Sequence, residues 1–108
     1  MSTKKRKYTC TGTVWLYSGE TSSWHFLSVP KKESLAIKEA FGASAKGWGS
    51  LPVVAQIGKT AWKTSIFPDK RSGSYLLPLK AKVRAQEGLF DGDRVTYSFT
   101  VQKLSTQT

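Results

Sequence analysis

Between Arg94 and Gln102 the chain alternates without a fault: Val95, Tyr97, Phe99 and Val101 share one parity, and Arg94, Thr96, Ser98, Thr100 and Gln102 take the other. A period of two fits a strand with one buried and one wetted face, and it does not fit a helix, whose repeat is 3.6. The pattern recurs near the N-terminus, where Tyr8, Cys10, Gly12, Val14 and Leu16 oppose Thr9, Thr11, Thr13, Trp15 and Tyr17. Glycine inside such a run predicts a bulge or a sharp bend, so Gly12 is expected at a barrel corner.

Between these two strands the punctuation is regular. SGETSS, Ser18 to Ser23, is turn material before a strand over Trp24–Val29. Pro30 heads a helix with the stripe Ala36, Ile37, Ala40 and Phe41, and Gly42 is expected to end it in the left-handed conformation. After the small-residue loop GASAKGWGS, strands over Pro52–Ile57 and Thr60–Phe67 are joined by the two-residue link Gly58-Lys59, a tight-hairpin signal. In the second of these, alternation turns Thr60, Trp62, Thr64 and Ile66 one way and Ala61, Lys63, Ser65 and Phe67 the other, so Trp62 is expected to fill the core beside Ile66. The loop PDKRSG, a strand over Ser74–Leu77, a short helix within Leu79–Glu87 closed by Gly88, and the turn Asp91-Gly92-Asp93 complete the chain.

Val29-Pro30 precedes Ile37-x4-Gly42, and Leu77-Pro78 precedes Val83-x4-Gly88, as if one strand, proline, helix and glycine unit occurred twice. The expectation is a mainly β fold: a closed six-stranded pseudo-symmetric Greek-key-like barrel with two short helices, closure removing the unpaired edges of an open sheet. Residues 1–7 are assigned to a basic N-terminal tail, 8–102 to a single barrel domain and 103–108 to a C-terminal tail.

Several chemistries are excluded by what the chain lacks. It has one histidine and one cysteine. His25, between Trp24 and Phe26, reads as a structural imidazole, and Cys10 reads as a buried, inert thiol. Neither a disulfide nor a zinc site can be assembled from them, so no metal and no cofactor is expected. Gly58-Lys59-Thr60 resembles the end of a phosphate loop, but Val53 stands where its first glycine is required. Asp91 and Asp93 flank a glycine as turn formers do. The expectation is therefore not an enzyme. The lone thiol, the lack of an apolar signal core after MSTKKRK and the lack of a membrane-length apolar run place the chain in the cytoplasm, with no membrane partner.

The motifs WHFLSVP, GWGSLPV, IGKTAWKTSIFPDKRSGSYLLPLKAKVR and EGLFDGDRVTYSF, in this order, resemble a bacterial family, domain of unknown function nineteen-oh-five. The resemblance runs from about Tyr8 to Val101 and implies a small closed β-barrel with no established activity. LPLKAKVRAQEGLFDGDRVTYSF also looks like the strand, proline, short helix and Gly-Asp turn of swapped-hairpin barrels in bacterial transition-state regulators, which bind DNA as dimers.

The charge points to partners. Seventeen Lys and Arg against seven Asp and Glu give a formal charge of +10, a field that draws polyanions. The leading expectation is a non-catalytic binding module, monomer or homodimer, in which Lys46, Trp48, Asp69, Lys70 and Arg71 meet at a barrel mouth to hold an anionic ligand or a protein partner. The alternative is sequence-independent nucleic-acid binding by Lys4, Lys5, Arg6 and Lys7 with Lys80, Lys82 and Arg84. An enzyme of unrecognised type stands third.

Overall fold

A computed structural model of the chain describes residues 5–45 and 49–102. Seven strands, β1 (Lys5–Thr13), β2 (Trp15–Ser18), β3 (Ser23–Ser28), β4 (Leu51–Ile57), β5 (Thr60–Asp69), β6 (Ser74–Pro78) and β7 (Arg94–Gln102), form one antiparallel sheet in the order β1-β7-β4-β5-β6-β3-β2. Helix α1 (Lys31–Phe41) follows β3, and α2 (Ala81–Glu87) follows β6. Neither helix is long and apolar enough to cross a membrane.

The fold is mainly β with two helices, as expected, but the sheet is an open curled half-barrel of seven strands and not a closed barrel of six. The difference arises in the first alternating segment, which is two strands. β1 follows β7 from Lys5↔Gln102 to Thr13↔Arg94. The chain then turns at Val14, whose N–H donates to the Asp93 carbonyl at 2.8 Å and whose carbonyl accepts from the Gly92 N–H at 2.7 Å. Beyond that corner β2 pairs with β3, from Trp15↔Phe26 to Ser18↔Ser23. β1 and β2 thus stand at the two ends of the ladder with no register between them.

The bend is at Val14 rather than at Gly12. Register runs unbroken through Gly12↔Val95, and a Cβ at Gly12 would meet the Tyr97 ring at 3.6 Å and Leu27 at 3.8 Å. Both are ordinary van der Waals distances, so neither a bend nor crowding requires the glycine. β1 also begins at Lys5, so Lys5, Arg6 and Lys7 belong to a strand and not to a tail.

The core lies within the curl. Val14, Leu27, Val29, Ile37, Ile66, Leu77 and Val101 are fully buried, with Tyr97 and Phe99 beside them and Phe41 and Val83 delivered by the helices. Trp62 faces inward with Ile66, as its parity predicts, although it is only partly buried. The Gly58-Lys59 link is the expected tight hairpin, closing on Ile57↔Thr60 with Gly58 at φ 56°. The Glu87 carboxylate sits against Gly58 and accepts a hydrogen bond from Thr60 Oγ1 at 2.6 Å. Asp91 and Asp93 shape their turn, accepting from the N–H groups of Leu16 and Phe90.

The two proline-headed segments meet in the β3–β6 pair, Phe26↔Pro78, Leu27↔Leu77 and Ser28↔Leu76. Their helices end differently. Gly88 is left-handed at φ 64°, whereas Gly42, at φ −55° and ψ −36°, stays right-handed because the chain runs on into a 3-10 turn over Gly42–Ser44. Where β3 leaves β6, a side chain completes the ladder. The Val29 N–H donates to the Tyr75 carbonyl at 2.8 Å, but the return bond is relayed: the Tyr75 N–H donates to Ser34 Oγ at 3.0 Å, and Ser34 Oγ donates to the Val29 carbonyl at 3.1 Å. Ser34 is the one buried polar side chain among the described residues.

Burial raises the titration of three core groups, Cys10, Tyr75 and Tyr97. It pushes the Cys10 thiol up from its ordinary 9.0, with the Glu33 carboxylate adding to the effect and a hydrogen bond from Tyr97 opposing it. The Tyr97 hydroxyl is raised well above its ordinary 10.0, first by burial and then by the neighbouring Cys10. The folded chain therefore keeps protons that the unfolded chain releases, so this share of the stability is whole below about pH 9 and declines as pH rises. Denaturant midpoints should fall between about pH 9 and pH 11, and Tyr97→Phe should flatten the decline. A midpoint constant to the alkaline limit would contradict this.

Candidate functional site

Strand alternation that sends Leu27, Leu77 and Ile66 into the core sends their neighbours outward. The ladder registers place Trp15 opposite Phe26, Tyr17 opposite Trp24, Phe26 opposite Pro78 and Phe67 opposite Leu76. Four adjacent strands, β2, β3, β6 and β5, therefore offer one apolar, ring-rich face on the side away from the core. It forms a cleft of about 410 Å³, with Asp69 and Arg71 joining these residues in its lining.

The rings are held by one another. Trp15 and Phe26 lie 5.2 Å apart between centroids and tilted at 41°, and Trp24 and Phe26 are 6.3 Å apart and nearly parallel at 9°. The Trp15 Nε1–H donates to Ser28 Oγ at 2.9 Å, which fixes the indole. Tyr17, Trp24 and Phe67 nevertheless remain 47%, 52% and 41% exposed. Contiguous exposed rings of this kind mark interaction sites in soluble domains.

Two further cavities adjoin. One of about 210 Å³ shares Trp24 and Pro78 with the cleft and adds Ser22, Ser23, His25, Leu79, Lys80, Ala81 and Arg84. His25 Nδ1 is buried without a hydrogen-bond partner. The next, about 490 Å³, shares Lys80 and adds Lys59, Lys82, Trp62 and Gln86 among its walls.

Of the residues expected at the mouth, Asp69 and Arg71 line the cleft. The Asp69 carboxylate is committed to its own loop, accepting from Ser72 Oγ at 2.8 Å and from the Arg71 N–H at 3.4 Å. Lys70 is not in the lining of the cleft; with Lys31 and Lys38 it lines a neighbouring cavity beside α1, of which Asp69 is also a wall. Lys46 and Trp48 lie outside the described residues, as does Lys4. The described part of their loop reaches the PDKRSG loop: a Cβ on Gly49 would stand 2.9 Å from the Pro68 ring.

The expected nucleic-acid residues fall into two groups. Lys80, Lys82 and Arg84 line the two basic cavities. Lys5, Arg6 and Lys7 are in β1, with Arg6 and Lys7 at successive positions and so on opposite faces, and β7 and β4 stand between β1 and β5. The residues that sequence reasoning passed over are the rings themselves. Their signal was legible in Trp15-x-Tyr17 and Trp24-x-Phe26, two aromatic pairs of matching parity on either side of a turn.

No curated protein matches the chain. The profile of a family described as "Domain of unknown function (DUF1905)" matches residues 11–98, a span that takes in every strand and ring of the cleft. The chain thus belongs to the DUF1905 family, as its ordered motifs from WHFLSVP to EGLFDGDRVTYSF predicted.

Proposed function

We propose that this domain is a non-catalytic binding module whose ligand presents flat rings to the aromatic cleft of β2, β3, β5 and β6. The observation that carries the reading is the exposure of Tyr17, Trp24 and Phe67 around one cavity of about 410 Å³. Ring faces left in water gain by stacking on a planar base, a sugar face or another aromatic side chain. Arg71 at the same cavity offers a cation for an anionic substituent. Among the described residues the only carboxylate in the lining is Asp69, which is spent on its loop, so these residues offer no pair of groups for acid and base work.

The test is an NMR titration with a mononucleotide, a neutral oligosaccharide and an aromatic peptide. At least one should move the indole signals of Trp15 and Trp24, and Trp24→Ala should weaken that binding roughly tenfold, the loss of one stacked ring. Trp24 is half exposed, so the variant keeps its fold. Shifts confined to other surfaces, or undiminished affinity in the variant, would reject the cleft.

A further inference from the structure

Building on the aromatic-cleft reading, we infer that the ligand is a single-stranded nucleic acid, with bases stacked on the rings and the backbone carried past Trp24 and Pro78 onto Lys80, Arg84 and Lys82.

The three cavities form one track. Trp24 and Pro78 are walls of both the ring-lined cleft and the second cavity, and Lys80 is a wall of both the second and the third. Along this track uncharged rings give way to Lys59, Lys80, Lys82 and Arg84, and among the described residues the second and third linings contain no carboxylate. Glu87, the acidic side chain of α2, is not itself a wall of either cavity; its carboxylate is engaged at the β4–β5 link, where it accepts a hydrogen bond from Oγ1 of Thr60, a wall of the third cavity, at 2.6 Å. A stacking platform continuous with a cationic groove is the combination that holds a single strand without reading its sequence. A neutral sugar or an apolar peptide would use the rings and leave the cations idle.

The same arrangement selects against a duplex. Paired bases are stacked on each other and present only their edges, whereas Tyr17, Trp24 and Phe67 need free base faces. The net charge of +10 adds long-range attraction but sets no path; the path is set by the shared walls.

The experiment is a fluorescence-anisotropy titration of the whole chain with a labelled oligothymidylate of about 16 nucleotides, the upper site size for a small barrel domain, and with a duplex of equal length. The single strand should bind at least about tenfold tighter than the duplex, and Trp24→Ala should weaken it by about tenfold. The double variant Lys80→Gln, Lys82→Gln should flatten the slope of log affinity against log salt by about 1.4, two contacts at roughly 0.7 each. Both lysines are exposed, and the one hydrogen bond removed, from Lys80 Nζ to the Lys63 carbonyl at 3.3 Å, lies at the surface, so the fold is kept. Equal or tighter duplex binding, an unchanged salt slope in the lysine variant, or no binding at low salt overturns the inference. A neutral oligosaccharide or aromatic peptide that binds the cleft while the oligonucleotide does not would overturn it and leave the cleft reading standing. Oligonucleotide binding indifferent to Trp24→Ala would overturn both.

Discussion

Ser34→Ala should destabilise the domain by about 2–4 kcal/mol, a large effect for the loss of one oxygen atom. The hydroxyl replaces a missing rung of the β3–β6 ladder, receiving the Tyr75 N–H and donating to the Val29 carbonyl. Both residues are buried, so alanine leaves a backbone donor and a backbone acceptor unmet, at about 1–3 kcal/mol each, with some relaxation between them. The substitution also unfastens α1 from the strand end that feeds it. Urea denaturation should show the loss as a lower midpoint with an unchanged slope. A change below about 0.5 kcal/mol, the ordinary range for an inconsequential site, would mean that water or a backbone shift takes over the relay.

Phe99→Ala should cost still more, about 3–5 kcal/mol, and bring the domain near its unfolding threshold. Phe99 is 1% exposed in β7, paired with Tyr8 on one side and Ala55 on the other, and its ring stacks 5.5 Å from Tyr8 and 6.2 Å from Tyr97. Strands β1 and β4 both lean on that ring, so the void cannot close without moving one of them. Phe90→Ala is the control. That ring is 71% exposed, and its removal should change stability by no more than about 0.5 kcal/mol. Thermal melts of the two variants side by side would show whether burial, rather than aromatic character, sets the difference; comparable losses would contradict this account.

Both predictions concern the scaffold behind the rings. Leu77, fully buried, lies between Leu76 and Pro78, which line the cleft, so the core and the cleft are the two sides of one strand. If Ser34 lets go of Tyr75, β6 is the strand that loses its anchor, and the ring face should loosen with it. Trp24 fluorescence in Ser34→Ala at low denaturant would report that coupling before global unfolding.

Periodicity made the elements legible. β7 begins and ends where alternation places it, and the β4–β5 hairpin closes on Gly58-Lys59, because both signals are local: a side-chain period of two and a two-residue link. The outward parity of Trp15, Tyr17, Trp24 and Phe26 was equally local. Their joining with Phe67, Leu76 and Pro78 was not, since it depends on Phe26↔Pro78 and Phe67↔Leu76, pairings between strands far apart in the chain. Lys70 shows the opposite case: next to Arg71 in sequence, it lines the cavity against α1 while Arg71 lines the cleft, with Asp69, whose carboxylate ties the loop, a wall of both.

The amino-acid sequence by itself determined which segments are strands, which of their faces is apolar, the identity of the family and the excess of positive charge, because each of these is written in residue type and spacing. Tertiary structure alone decided that the first alternating run breaks at Val14 and serves both ends of an open sheet, and that rings from three strands and the apolar side chains of a fourth share one cleft beside Lys80 and Arg84. The reason is physical: a strand's own pattern says which side is buried but not which strand lies beside it, and neighbours are chosen by how the whole core packs.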